Sequence, residues 1–117
     1  MNPTASRSIE EWTEQIKQDV RENRVFVYAK GEKNAAMCGF SARVMQILNQ
    51  VGTPFEVRNI FADPNIRPAI CAYTNWPTIP QVFIDGNFVG GCDILTEMYQ
   101  SGELEKMLDS GAAERRQ

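Results

Sequence analysis

Cys38 is the residue in this sequence best placed to do chemistry. It follows a strand-like run, Val25-Phe26-Val27-Tyr28-Ala29, across a loop that begins at Lys30, and it precedes a pattern of Val44, Met45, Ile47, Leu48 and Val51 that recurs at helical spacing until Gly52. The spacing predicts a thiol at a helix N-terminus. Unpaired backbone N–H groups and the positive end of the helix dipole favour the thiolate there, and Lys30 adds a second positive charge where the strand ends. Such surroundings lower a cysteine pKa from about 8.5, often to between about 3.5 and 7.5, making it a nucleophile or a metal ligand at neutral pH. By residue type alone a free cysteine is more often a small buried hydrophobe, so the position carries the argument. Three residues on stands Ser41, not a second cysteine, and no partner is there to close an active-site disulfide. A lone thiolate can still exchange with thiols from outside, or bind metal beside ligands from elsewhere.

Composition removes several competing chemistries. The 117 residues contain no histidine, which excludes Cys–His nucleophile pairs, Cys₂His₂ zinc, His-ligated haem and imidazole bases together. Cys38, Cys71 and Cys92 are an odd set without paired C-x-x-C spacing, so a disulfide framework is not expected and a reducing compartment is. A net charge of −3, with both signs interspersed, argues against nucleic acid as the main partner, and no basic run suggests a membrane surface. No stretch has the length of a spanning helix, and the N-terminus lacks a signal or transit pattern. The expectation is a soluble protein, or one whose targeting segment has been removed.

One small domain must position the thiol. Residues 1–7 read as a disordered lead, and Ser8-Ile9-Glu10-Glu11 as a capping box opening a helix with Ile9, Trp12, Ile16 and Val20 on one face. Past the Cys38 helix, Gly52-Thr53-Pro54 is a C-cap and turn, and Phe55 to Asn59 a second strand. Strand, helix, strand implies a parallel pair with a right-handed crossover. Asp63-Pro64 is expected to cap and open the next helix, through Ile66, Ala69, Ile70 and Tyr73, unless Pro68 delays the start to near its own position. Gln81 to Ile84 and Asn87 to Val89 flank Asp85-Gly86 as an antiparallel hairpin. Gly90-Gly91 then turns into a helix opened by Cys92-Asp93, and a last helix carries Leu104, Met107 and Leu108. The tail 110–117 lacks an apolar pattern and is expected to fray, leaving 8–109 as the folded domain. The sum is an α/β chain with a four-stranded mixed sheet flanked by helices on both faces, the thioredoxin-like arrangement.

Four stretches, in this order and on these elements, carry a family resemblance: Lys30-Gly31, Cys38-Gly39-Phe40-Ser41, Trp76-Pro77-Thr78-Ile79-Pro80-Gln81 and Gly90-Gly91-Cys92-Asp93-Ile94. Over residues 8–109 the chain resembles the monothiol, CGFS-type glutaredoxins. The resemblance implies glutathione lying beside Cys38. Lys30 and Arg67 would meet its glycine carboxylate, Ile79 before a cis Pro80 would offer its backbone to the peptide, and the N–H groups of Cys92 and Asp93 would take the γ-glutamyl carboxylate. Phe40 and Trp76 would be apolar walls. Each residue has a plainer reading: Lys30 and Arg67 as solvated charges, Ile79 in an ordinary turn, Asp93 as a helix cap, Phe40 and Trp76 as core.

The resemblance further implies a 2Fe-2S cluster ligated by Cys38 from each of two subunits and by two glutathione thiols. The homodimer would pass this cluster to apo iron-sulfur proteins, and a BolA-type protein is a further implied partner. The alternative is a glutathione-dependent thiol-disulfide oxidoreductase that removes glutathione from mixed disulfides by a monothiol route. The family's compartments are the bacterial cytoplasm, the mitochondrial matrix and the plastid stroma. A Cys38–Cys92 disulfide under oxidation is a further hypothesis, whereas Cys71 is read as packing. Pro68 after Arg67, and the absence of proline from Glu32 to Met37, depart from the family pattern.

Overall fold

The computed structural model describes residues 6–115, with side chains through Asp109. Helix α1 (Ile9–Glu22) opens on the expected capping box: Ser8 Oγ accepts from the Glu11 N–H, and the Glu11 carboxylate accepts from the Ser8 N–H. Strand β1 (Val25–Ala29) follows, then a two-residue pair β2 (Gly31–Glu32) and β3 (Ala35–Ala36), then α2 (Gly39–Val51). Strand β4 (Glu56–Asn59), a 3-10 turn (Ile60–Ala62), α3 (Ile66–Thr74), β5 (Gln81–Ile84), β6 (Asn87–Gly90), α4 (Cys92–Ser101) and α5 (Glu103–Arg115) complete the chain.

The main sheet has the order β4-β1-β5-β6. β1 runs parallel to β4 and antiparallel to β5, and β5 runs antiparallel to β6. Because β1 is covered on both faces, all five of its residues are buried and it reads as one apolar run rather than an alternating one. Alternation reappears in where the side chains go. Val25, Val27 and Ala29 join Val82 and Ile84 in a core closed by α2, α4 and α5, whereas Phe26, Tyr28 and Phe83 join Trp12, Ile16, Ile66 and Ile70 beneath α1 and α3. The hairpin turn places both Asp85 (φ 52°) and Gly86 (φ 82°) in the left-handed region, as a tight two-residue hairpin requires.

Two expectations need revision. Asp63-Pro64 does not open α3: the helix begins at Ile66, and the Asp63 carboxylate accepts instead from the N–H groups of Asn65 (2.9 Å) and Arg7 (2.9 Å). The helix instead starts late and near Pro68, as the alternative allowed, though not at that residue. Pro68 is the third helical residue, one before Ala69, whose N–H reaches the Asn65 carbonyl (3.2 Å), so its missing donor falls where no intrahelical partner exists. The stretch from Gly31 to Ala36 forms the small β2–β3 pair and is not an irregular loop.

At the termini, residues 1–5 of the expected lead lie outside the described residues. Arg7 is held, since its carbonyl accepts from Asn65 Nδ2 (2.7 Å) and its guanidinium lies over Trp12. The backbone of α5 stays helical past 109 to Arg115, and 116–117 lie outside the described residues. Among the described residues no helix is long and apolar enough to cross a membrane.

Candidate functional site

Cys38 is the N-cap of α2. Its backbone is extended (φ −148°, ψ 157°), and its sulfur does what a serine or aspartate oxygen does at this position, accepting from the Ser41 N–H at 3.4 Å. The Ser41 hydroxyl lies 3.4 Å from the same sulfur; once the thiol has ionised, the hydroxyl is the donor. Burial pushes the thiol pKa up, but the Ser41 hydroxyl, the backbone N–H groups of Ser41 and Phe40, and the Lys30 charge outweigh it and hold the pKa below the ordinary thiol value.

Ser41 has a second task. It is fully buried and its oxygen accepts from the Lys30 N–H at 3.0 Å, which fastens the end of β1 to the first turn of α2. The Lys30 carbonyl accepts from the Met37 N–H (2.8 Å), and Asn59 Oδ1 accepts from the Gly31 N–H (3.0 Å). Gly31 must be glycine: its φ is +113°, and a Cβ would lie 2.6 Å from the Ala35 carbonyl oxygen. These contacts carry Lys30 toward the thiol without any proline in the loop.

Beside Cys38 a cavity of about 570 Å³ opens where β1 and β6 end and β5 begins. Lys30, Phe40 and Arg67 form one part of its wall, the segment Trp76, Thr78, Ile79 and Pro80 another, and Gly91 to Ile94 a third. Cys38 is not among the walls; its neighbour Phe40 and the Lys30 tied to its helix are. The Ile79–Pro80 peptide is cis, and the Ile79 backbone makes no turn or loop hydrogen bond among the described residues. Gly91 is the N-cap of α4 and supplies no capping side chain. A Cβ there would come within 3.2 Å of the Pro80 carbonyl oxygen, so glycine lets this helix start close against the cis-proline segment. The groove thus has cationic side chains, Lys30 and Arg67, and the uncapped N-terminus of a ten-residue helix, both suited to carboxylates.

The glutaredoxin family profile matches residues 25–89. The chain is 53% identical over 98 residues to an uncharacterized ycf64-like monothiol glutaredoxin of Synechocystis sp., an alignment covering 84% of this chain and 92% of the relative. The chain belongs to the monothiol glutaredoxins. The solution structure of reduced poplar apo GrxS14 superposes with a TM-score of 0.76 at 40% identity, covering 86% of this chain and 92% of that one. The crystal structure of a buckwheat glutaredoxin–glutathione complex does so with a TM-score of 0.78 at 28% identity, covering 87% and 91%.

In this glutaredoxin Lys30, Arg67, Ile79, Cys92 and Asp93 wall one groove, and Cys38 stands beside it. Pro68 leaves Arg67 in the first turn of α3 with its guanidinium donating to the Pro77 carbonyl at 3.3 Å. Phe40 is 65% exposed, a wall and not core, and Trp76 both lines the groove and packs edge-on against Phe88. Cys71 is packing, as expected: it lies against the α1–α3 core, and burial pushes its thiol pKa up against the opposing charge of Arg67. All three cysteines are free thiols. Sequence reasoning missed Ile94 as a wall, because it fits the apolar side of α4, and Asn59 as the acceptor that seats Gly31, because nothing in its spacing marks it.

Proposed function

We propose that this glutaredoxin binds glutathione in the groove and carries a 2Fe-2S cluster between two copies of the chain, delivering it to apo iron-sulfur proteins. The observation that carries the reading is the pairing of a thiolate-favouring Cys38 with a groove that offers cations and a helix N-terminus to a short peptide bearing two carboxylates. Lys30 and Arg67 would receive one carboxylate, the N–H groups of Cys92 and Asp93 the other, and the Ile79 backbone the peptide between them. The tripeptide's thiol would then lie at the Cys38 end. The buckwheat relative's complex supports glutathione as the occupant.

The donor set fits a shared cargo. Among the described residues no group of three or more His, Cys, Asp or Glu side chains is placed to hold a metal ion, and a cluster bound through Cys38 would draw on ligands from outside the chain. A second Cys38 and two glutathione thiols complete four sulfurs. The exposed Phe40 and Met37 (70%) on either side of Cys38 would be covered when two copies meet. A BolA-type protein would compete for the same face.

Anaerobic reconstitution with iron, sulfide and glutathione tests the reading. Visible absorbance of a cluster should appear together with a dimer, and both should vanish when glutathione is omitted or in Cys38→Ser. A colourless monomer, or a dimer that survives Cys38→Ser, overturns it. The same partly exposed, thiolate-favouring Cys38 also suits thiol exchange. Its sulfur would attack the glutathione sulfur of a mixed disulfide and release the substrate thiolate, after which a glutathione thiolate would free Cys38 as glutathione disulfide. Fast turnover that is indifferent to iron would favour this second activity.

A further inference from the structure

Gln81 is a fully buried polar residue at the start of an otherwise apolar strand. A buried amide without partners is destabilising, and this one finds its partners in the segment that walls the groove. Its Nε2 donates to the carbonyls of Trp76 (3.0 Å) and Thr78 (3.2 Å), and its Oε1 accepts from the Thr74 hydroxyl (2.8 Å). The orientation of the amide follows from these contacts. Two carbonyl oxygens require two N–H donors, and the reversed amide would set its own oxygen against both. The carbonyl of Pro77, between the two clamped residues, accepts instead from Arg67. One side chain therefore fixes the carbonyls on either side of Pro77, and with them the placement of Trp76, Thr78, Ile79 and Pro80 along the groove. Gln81 is not itself among the groove walls.

We propose that Gln81 is a positioning residue for peptide recognition: by holding the Trp76 and Thr78 carbonyls inward, it presents the Ile79 backbone and the Arg67 guanidinium to the ligand. This rests on the glutathione reading of the groove. Two substitutions separate the amide's hydrogen bonds from its volume. Gln81→Glu keeps the shape but turns an acceptor toward two acceptors, and Gln81→Met keeps the volume and removes every bond.

The test equilibrates Cys38 separately with glutathione disulfide and with cystamine. In each case the Cys38 thiolate attacks one sulfur, a mixed disulfide forms, and the other half leaves as a thiolate. The ratio of the two equilibrium constants isolates what the groove adds by reading the tripeptide, because the sulfur chemistry at Cys38 is common to both. The original protein should prefer glutathione. Both variants should lose about tenfold of that preference, the effect of two lost hydrogen bonds, while their cystamine constants stay unchanged. Should one variant fail to fold, the other is read, with Thr74→Val as a third that removes the hydroxyl donor to Oε1, together with its bond to the Ile70 carbonyl (3.0 Å), and should lose about threefold. A folded variant that keeps the full preference, even with a lowered melting temperature, overturns the positioning role. An original protein that shows no preference for glutathione overturns the groove reading itself, and this inference with it.

Discussion

Two clusters of charge sit in this small fold and are treated in opposite ways. Between α1 and the sheet, the Asp19 carboxylate receives four donors: Tyr28 Oη (2.6 Å) and Arg58 Nε (2.8 Å) on one oxygen, Arg58 (2.9 Å) and Gln15 Nε2 (2.9 Å) on the other. Its hydrogen-bonding capacity is filled within the chain. The bonds to Asp19 raise the Arg58 pKa against burial, and burial, reinforced by Asp19, pushes the Tyr28 hydroxyl far up. At the end of the sheet, by contrast, Lys30 and Arg67 make no ion pair with a carboxylate among the described residues, and the first turn of α4 has no capping side chain. The closed cluster uses its charges for folding, whereas the open one leaves its cations without a carboxylate partner among the described residues.

The largest test of that contrast is Asp19→Ala. Removing one partner of a buried, fully bonded pair strands the others, and chemical denaturation should show a loss of about 3 kcal/mol, with the reactivity of Cys38 toward a small disulfide unchanged. Ser41→Ala sits at the boundary between the clusters' roles, because Ser41 serves both the backbone and the thiol. It should lower stability by about 1–2 kcal/mol through the stranded Lys30 N–H and raise the Cys38 pKa, followed by thiolate absorbance. An effect on stability alone would show that the hydroxyl does not reach the sulfur.

Cys38→Ser reads the open cluster by pH. The folded thiol pKa lies below the unfolded one, so the thiolate adds stability in full above the ordinary value near 8.5 and loses it as pH falls through the folded value. The stability gap between the original protein and Cys38→Ser should therefore widen as pH rises across that window and level off above it. A pH-independent gap would mean that folding does not favour the thiolate. The smallest effect belongs to Lys30→Gln, which should raise the thiol pKa slightly at low salt and leave it unmoved at high salt, where screening has already removed the Lys30 contribution.

How far each cluster was legible in the sequence follows from the range of the interactions that build it. The Cys38 site shows early because it is local: a strand run, a cysteine and a helical period follow one another along a single stretch of chain and dictate an N-capping sulfur. The capping box at Ser8 and the hairpin at Asp85-Gly86 are local in the same sense, and both form as expected. The Asp63-Pro64 reading fails for the complementary reason. Asp63 is a good cap in isolation, but the Arg7 N–H, brought from far along the chain, helps draw its carboxylate into another turn. Nothing in the spacing of Asp19, Tyr28 and Arg58 announces their network, and Gln81 reads as an ordinary strand residue until the Trp76–Thr78 segment folds back over it.

What the sequence determined by itself was the order of the main helices and strands, the four-stranded mixed sheet between helices and the placement of Cys38 at a helix start, because periodicity and capping act between near neighbours. Only the tertiary structure decided that Lys30, Arg67 and the α4 N-terminus converge on one groove, that Ser41 joins strand to helix, and that Gln81 sets the groove's wall. Those outcomes depend on how helices and loops close over the sheet, and a hydrogen bond between residues far apart in the chain leaves no mark on the spacing of either.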